Sequence, residues 1–421
     1  MATTELKVLN SVCKTKDIQP VLAGQHIDKM FVGYSDVWAF VKDYYSKHRA
    51  IPDATILEEE FNYFDVVETK GETQYYVDSL REEYTNSGLQ ELALKLRDNV
   101  GKIASQRVLD GLISEAMELQ SVSVASQDLD ITDFDAAEED YKATRLLAEQ
   151  MGGVPGIPTG IDFIDSAYPS GLVGGDLVVI LGWTGRAKSL LSTLVCCNAF
   201  NCGFKPMIVS LEMNTKKVRD RAYTILGNGL FKNTDFQVGD IKEDDFKSWS
   251  GSLKKGNGFV VVSHDGNNEI TPAVVQSKID QHKPGILVLD YAQLASDNAH
   301  SSDMIARMRN MSSEYKRLAV ANQIPIILIS SATPDSTSSI NTPPIVEQVA
   351  WSKQLAFDAD LAFAVHRHDG EIDGEPGSVI IEIAGRKNRN GGLFSGYFKA
   401  DINRGTYKEY FSLEDIVQDA A

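Results

Sequence analysis

Between Asp176 and Ser192 the chain reads DLVVILGWTGRAKSLLS. An apolar run breaks at a glycine-containing turn, and a Lys-Ser pair opens a second apolar stretch. This is the outline of a phosphate-binding loop. Successive backbone N–H groups and a helix N-terminus face phosphate oxygens, Lys188 neutralises the β/γ oxygens, and the Ser189 hydroxyl ligates Mg²⁺. Gly182, Trp183, Thr184, Gly185, Arg186, Ala187 and Leu190 complete the candidate loop. Ala187 stands where a glycine is expected before the lysine. Alanine keeps the N–H donor, but a positive φ there adds roughly 1–2 kcal/mol of strain. Gly185 is positioned to relieve part of the turn, so the expectation is weakened binding rather than none.

Two acids extend the constellation. ILVLDY ends an apolar run on Asp290, where a carboxylate can hold a water in the Mg²⁺ shell, and PMIVSLEM ends on Glu212, which could orient or deprotonate an attacking water. In a parallel sheet, Lys188, Asp290 and Glu212 then share the carboxyl edge, where ligands of open α/β folds bind. Each acid also has an ordinary reading as a solvated strand end or a turn residue. The run AGRKNRNGG offers Arg386, Lys387 and Arg389 at the end of a late strand. It is either exposed decoration or a rigid guanidinium able to neutralise γ-phosphate charge in a neighbouring subunit's site.

The elements that must position these groups fall into two parts. From about residue 157, strand-length apolar runs follow one another: LVVILG, PMIVSLE, FVVVS, ILVLDY, IPIILIS, LAFAVHR and SVIIEIAG. Continuous apolar strands predict a sheet covered on both faces, hence a mostly parallel α/β core, and SGYFKADI with TYKEYF predicts an antiparallel extension. Residues 1 to about 120 read as helical. Val37, Phe40, Val41 and Tyr44 recur at helical spacing after Ser35, and a long helical pattern covers residues 89–120. The acidic segment 122–140 reads as a linker running into a further helix before GGVPGIPTG.

Composition bounds the possibilities. The 421 residues suffice for two or three domains, and 43% apolar with 24% charged residues describe an ordinary globular chain. The net charge of −18 argues against a general nucleic-acid-coating protein. Residues 1–150 hold 15 Lys and Arg against 28 Asp and Glu, and the rest hold 26 against 31, so any polyanion site is a local cluster in the second part. No apolar run approaches a membrane span, the N-terminus lacks a signal-peptide layout, and Cys13, Cys196, Cys197 and Cys202 read as reduced thiols. A cytoplasmic protein is expected.

The order of motifs resembles that of DnaB-family replicative helicases, hexameric ATPases with a RecA-like motor. GIPTGIDFIDSAYPSGLVGGDL, IVSLEM, VLDYAQL, DADLAFAVHR and GRKNRNG carry the resemblance over about residues 155–410, while HRAIPDATILEEEF is weakly similar to the family's N-terminal helical domain. The resemblance implies a RecA-like P-loop motor domain with a smaller all-α N-terminal domain: residues 1–122 helical, 123–154 a linker with a linker helix that docks on the adjacent subunit, and 155–421 the motor. It implies ATP and Mg²⁺ as cofactors, with Glu212 as catalytic glutamate. Arg221 and Gln293 fall near nucleotide-contacting positions, and Lys387 and Arg389 at the trans-acting lysine and arginine finger.

By the same alignment Ala350, Trp351, Ser352 and Lys353 fall on the DNA-contacting loop. Lys353 and Ser352 could serve phosphates; Trp351 could stack on a base or be buried in a subunit contact. Ser331 stands where the family has a γ-phosphate-sensing glutamine, and is too short to span that gap. Lys316 and Arg317 read as a solvated helix face. Single-stranded DNA, a homo-hexamer, a primase, a helicase loader and 5′→3′ movement are the implied partners and polarity, with no membrane. The departures suggest a bacteriophage or similarly fast-evolving replicon, hence host cytoplasm. A RecA-fold recombination ATPase and a non-hydrolysing assembly factor remain alternatives. The helical N-terminal part and the KNRNG spacing speak against the first. Retention of Lys188, Ser189, Glu212, Asp290 and Arg389 speaks against the second, which Ala187 and Ser331 motivate.

Overall fold

The computed structural model describes residues 3–22, 27–123, 131–150, 153–253, 258–263, 269–333, 341–348, 354–369 and 377–420. The chain divides into two compact units, Met1–Asp133 and Phe134–Ala421.

The first unit is helical. Its opening helix, Thr4–Thr15, is capped by the Thr3 hydroxyl, which accepts from the Leu6 N–H. Helix Ser35–His48 buries Val37, Trp38 and Val41, and Trp38 stacks on Phe31 with centroids 5.0 Å apart. Trp38, outside the apolar stripe read from sequence, is among the largest fully buried side chains. The long helical pattern expected over 89–120 is broken. Helix Thr73–Asn99 ends, Gly101 takes φ 80°, and helix Ser105–Ser123 folds back. Helix-favouring sequence runs on both sides of this turn, and Gly101 is the local sign of the break. Lys95 and Glu115 pair across this hairpin at 2.9 Å. Its helices approach closely because Gly88 has no side chain: a β-carbon there would lie 2.4 Å from Leu119.

The second unit is built on a nine-stranded sheet. The strands are β1 (Leu177–Gly182), β2 (Pro206–Ser210), β3 (Val260–Ser263), β4 (Ile286–Asp290), β5 (Ile326–Ser331), β6 (Leu361–Arg367), β7 (Ser378–Asn388), β8 (Ser395–Asp401) and β9 (Thr406–Tyr410). Their order is β3-β2-β4-β5-β1-β6-β7-β8-β9. Pairings from β3 to β6 are parallel and those from β6 to β9 antiparallel. The burial follows this division. Every residue of β1, β2 and β4 is buried, whereas β8 alternates buried with less buried positions, as an antiparallel strand with one covered face does. Helix Lys188–Asn201 packs Leu191, Leu194 and Val195 against Val178, Ile180, Ile208 and Val288. Helix Met304–Asn322 buries Met308, Met311, Tyr315 and Leu318 and contacts β1 and β5.

Helix Phe134–Gln150 lies within the segment expected to hold a linker helix. The four cysteines are free; Cys13, Cys196 and Cys197 are buried. Among the described residues, no helix is long and apolar enough to cross a membrane.

Candidate nucleotide site

Strand β1 delivers the loop. It ends on Gly182, where a β-carbon would lie 2.7 Å from the Lys188 side chain, so glycine is what lets the lysine fold back over the strand end. The Lys188 ammonium donates to the carbonyls of Gly182 and Trp183 at 3.0 and 2.9 Å. Burial pushes it below the ordinary lysine range, and the nearby carboxylates of Asp290 and Glu212 act in the opposite sense.

Ala187 is the N-cap of helix Lys188–Asn201 and adopts φ 72°. Gly185 is also left-handed, at φ 76°, yet it does not spare Ala187 the same conformation. The expected relief by Gly185 therefore does not occur, because the loop needs two left-handed residues, one on each side of Arg186. Thr184 is exposed at the loop tip. Trp183 is buried, its indole donating to the Thr342 carbonyl, so this residue offers a ligand its backbone rather than its ring.

Parallel pairing brings the other strand ends alongside. Asp290, the last residue of β4, sits opposite Ser210, and its carbonyl accepts from the Leu211 N–H at 2.7 Å. Its carboxylate is buried. Burial raises its pKa; the Ser189 hydroxyl, Arg221 and Lys188 pull it down, while Glu212 adds to the rise. Asp290 Oδ1 is buried without a hydrogen-bond partner. Such an orphan is costly unless something outside the chain takes it up. A hard carboxylate oxygen beside a serine hydroxyl is a donor set that suits Mg²⁺.

Glu212 follows β2 and is exposed. Arg221, on helix Thr215–Gly227, is brought within electrostatic reach of Asp290 and Glu212; burial lowers its pKa and both acids oppose this. Gln293 reaches across to the end of β5. Its amide donates to Ser330 Oγ at 2.7 Å and accepts from the Ser331 N–H at 3.4 Å. The Gln293 amide is thus tied to the end of β5, beside Ser331.

Lys188, Ser189, Glu212, Arg221, Asp290, Gln293 and Ser331 are therefore gathered at one sheet edge. Lys387 and Arg389 are not. They lie where β7 meets the start of β6, Lys387 opposite Ala362 and Asn388 opposite Leu361. Arg389 pairs with Asp360 at 3.3 Å, and Lys387 donates to the carbonyls of Ala356 and Phe357. Arg386 is spent on the carbonyls of Pro343 and Pro344. Asp360 also pairs with Lys316 at 2.6 Å and accepts from the Leu177 N–H at 2.8 Å. Lys316 is thus a structural cation and not part of a solvated face, because its long stem reaches the start of β1, where Asp360 offers it a carboxylate; Arg317 is exposed as expected. Ala350, Trp351, Ser352 and Lys353 lie outside the described residues.

A recess beside the loop had no signal in the sequence. Leu190, Leu191, Leu194, Ile225, Ile402 and Tyr407 line a space of about 380 Å³, counting the solvent at its mouth. Its walls come from two helices and the late strands, so no local motif reports it.

Residues 156–404 match the family model of the DnaB-like helicase C-terminal domain. The chain is 25% identical over 278 residues to the replicative DNA helicase DnaB of Haemophilus influenzae, the match taking in 62% of this chain and 58% of that protein. It is 23% identical over 340 residues to DnaB of Geobacillus stearothermophilus, covering 78% and 72%. Against several such relatives the matched part spans little more than half of their length. A solved DnaB-like replicative helicase, described with its interactions with primase, superposes with a TM-score of 0.63 at 18% identity, covering 96% of this chain and 98% of that one. A second solved structure, an isolated ATPase domain, gives 0.56 at 19%, covering 66% and 99%. At these identities the likeness establishes the fold: a RecA-like α/β domain and a smaller helical unit.

Proposed function

The chain belongs to the DnaB-like helicase family, whose C-terminal domain model covers more than half of it, and from that premise we propose that it is an ATP-driven replicative DNA helicase. It works as a ring hexamer that translocates on single-stranded DNA and separates duplex at a fork. The observation that carries this reading is the convergence of Lys188, Ser189, Arg221 and Asp290 at one strand edge, with a buried carboxylate oxygen left unpartnered.

In this reading the loop's N–H groups and the helix beginning at Lys188 cradle the phosphates of ATP. Lys188 exchanges the Gly182 and Trp183 carbonyls for phosphate oxygens, gaining a full charge partner for two neutral ones. Ser189 and Asp290 hold Mg²⁺, which neutralises charge on the β- and γ-phosphates when bound. Glu212, exposed at the same edge, orients and deprotonates the attacking water. Arg221 contributes positive charge, and the Gln293 amide reports on the occupancy of that edge to β5.

Lys387 and Arg389 serve the neighbouring protomer's nucleotide, so turnover and subunit motion are coupled. Single-stranded DNA is the track, followed in the 5′→3′ direction, with Trp351, Ser352 and Lys353 as its contacts by the family resemblance. The acidic helical unit, 1–122, joined through 123–154, takes a primase and a loader as protein partners.

ATP hydrolysis measured with and without single-stranded DNA, beside a Lys188→Ala control, tests this reading. Turnover stimulated by DNA and lost in the control, together with fork unwinding, is expected. Turnover indifferent to both would remove the motor function.

A further inference from the structure

The loop from Gly182 to Ser189 is fastened to the rest of its domain by the Arg186 side chain. The Arg186 guanidinium donates to the Arg367 carbonyl at 2.8 Å and grips both carboxylate oxygens of Asp369, one of them at 2.9 Å. Its side chain is only 14% exposed, against 75% for Asp369. Arg367 closes β6, the strand that runs beside β1 in parallel register. The second half of the loop is thereby tied to the neighbouring strand.

Ala187 is the residue next to this tie, and its left-handed φ of 72° is the loop's strained point. A residue with a β-carbon favours the right-handed region, and reverting to it would swing the N–H groups of residues 187 and 188 out of the cradle. Glycine has no such preference. Alanine needs something else to hold it.

We propose that Arg186 is a positioning residue for nucleotide binding: by clamping Asp369 and the Arg367 carbonyl it holds Ala187 left-handed, so that the loop keeps its phosphate-binding shape without the glycine. The clamp rests on the reading of the loop as a triphosphate site. With its guanidinium committed to Asp369 and the Arg367 carbonyl, Arg186 acts by excluding the loop's other conformations before nucleotide arrives.

A double-mutant cycle tests it. Affinity of the full chain for a fluorescent ATP analogue with Mg²⁺ is measured for the native protein, Asp369→Ala, Ala187→Gly and the double variant. Arg186→Ala, alone and with Ala187→Gly, cuts the same clamp from the other side. With alanine at 187, cutting the clamp is expected to weaken binding about five- to tenfold, the scale of one strained left-handed residue. With glycine at 187 the loss is expected to stay below about twofold. A purely structural role for Arg186 would give equal losses in both backgrounds, and that result, or no loss in either, overturns the clamp while leaving the nucleotide site intact. Failure of both the native protein and Ala187→Gly to bind nucleotide overturns the triphosphate reading, and the clamp with it.

Discussion

Arg389 and Lys188 stand at opposite ends of the same strand. The Arg389 guanidinium is 3.3 Å from Asp360, whose carboxylate takes the Leu177 N–H at the start of β1, while the Lys188 ammonium lies 3.0 Å from the Gly182 carbonyl at its end. Those ends are five residue steps apart, about 17 Å at ~3.3 Å per residue. An arginine cannot cross that gap to its own chain's phosphate loop. On the proposed reading, a second copy is what brings this guanidinium to a nucleotide.

Replacing Arg389 with alanine is accordingly expected to spare nucleotide binding and remove turnover. Titration should find the affinity for ATP within about threefold of native, while steady-state hydrolysis falls by about 10³ or more, the scale of an arginine finger. Lys316 and the Leu177 N–H remain on Asp360, so the thermal midpoint should hardly move.

Asp290→Asn should separate stability from function. Burial raises the Asp290 pKa, so its charged form costs the folded protein stability at neutral pH; the cost shrinks as pH falls through the raised value and is gone below the unfolded one. Removing the charge should raise the melting temperature of the nucleotide-free protein by a few degrees, ~1 kcal/mol corresponding to less than about 4 °C in a chain of this size. The further rise that ATP with Mg²⁺ gives the native protein should disappear. Thermal unfolding with and without Mg²⁺ and ATP reads both effects, and a variant still stabilised like the native protein would remove Asp290 from the metal site.

A half-buried acid, far from the loop in sequence, should set part of the pH dependence of stability. Burial pushes Glu314 up to about 7; the Asp297 carboxylate adds to this, and the Asn298 N–H and Arg317 oppose it. A raised acid stabilises the folded state fully below its unfolded pKa, about 4.5, and that stability is lost as pH rises through 7. Glu314→Gln should therefore be more stable than native at pH 8, by about 1–2 kcal/mol once solvent screening of a half-buried group is allowed for, and no more stable at pH 4. Melting curves of the two proteins at both pH values check this; a difference independent of pH would exclude Glu314 as the group responsible.

The strands and the loop were legible in the sequence for a physical reason. Runs such as LVVILG and ILVLDY are apolar throughout because both faces of a parallel sheet are covered, and Lys188, Asp290 and Glu212 are chemically distinct residues at the ends of such runs. What could not be read is what depends on partners distant in the chain. Asp360 gathers Leu177, Lys316 and Arg389, and Arg186 meets Asp369, with no local pattern announcing either. The apolar recess draws on residues 190 to 407 in the same way. The helical break at Gly101 has helix-favouring sequence on both sides, with only the glycine to mark it.

The most direct measurement mixes two inactive proteins. On the proposed reading, Lys188→Ala loses its own phosphate loop and Arg389→Ala no longer serves its neighbour's. If each site is assembled from two copies, mixed rings contain interfaces pairing an intact Lys188 with an intact Arg389, and DNA-stimulated ATP hydrolysis should rise well above that of either variant alone. Hydrolysis no greater than the sum of the two separate proteins, in mixtures shown to have exchanged subunits, would contradict a site shared between protomers.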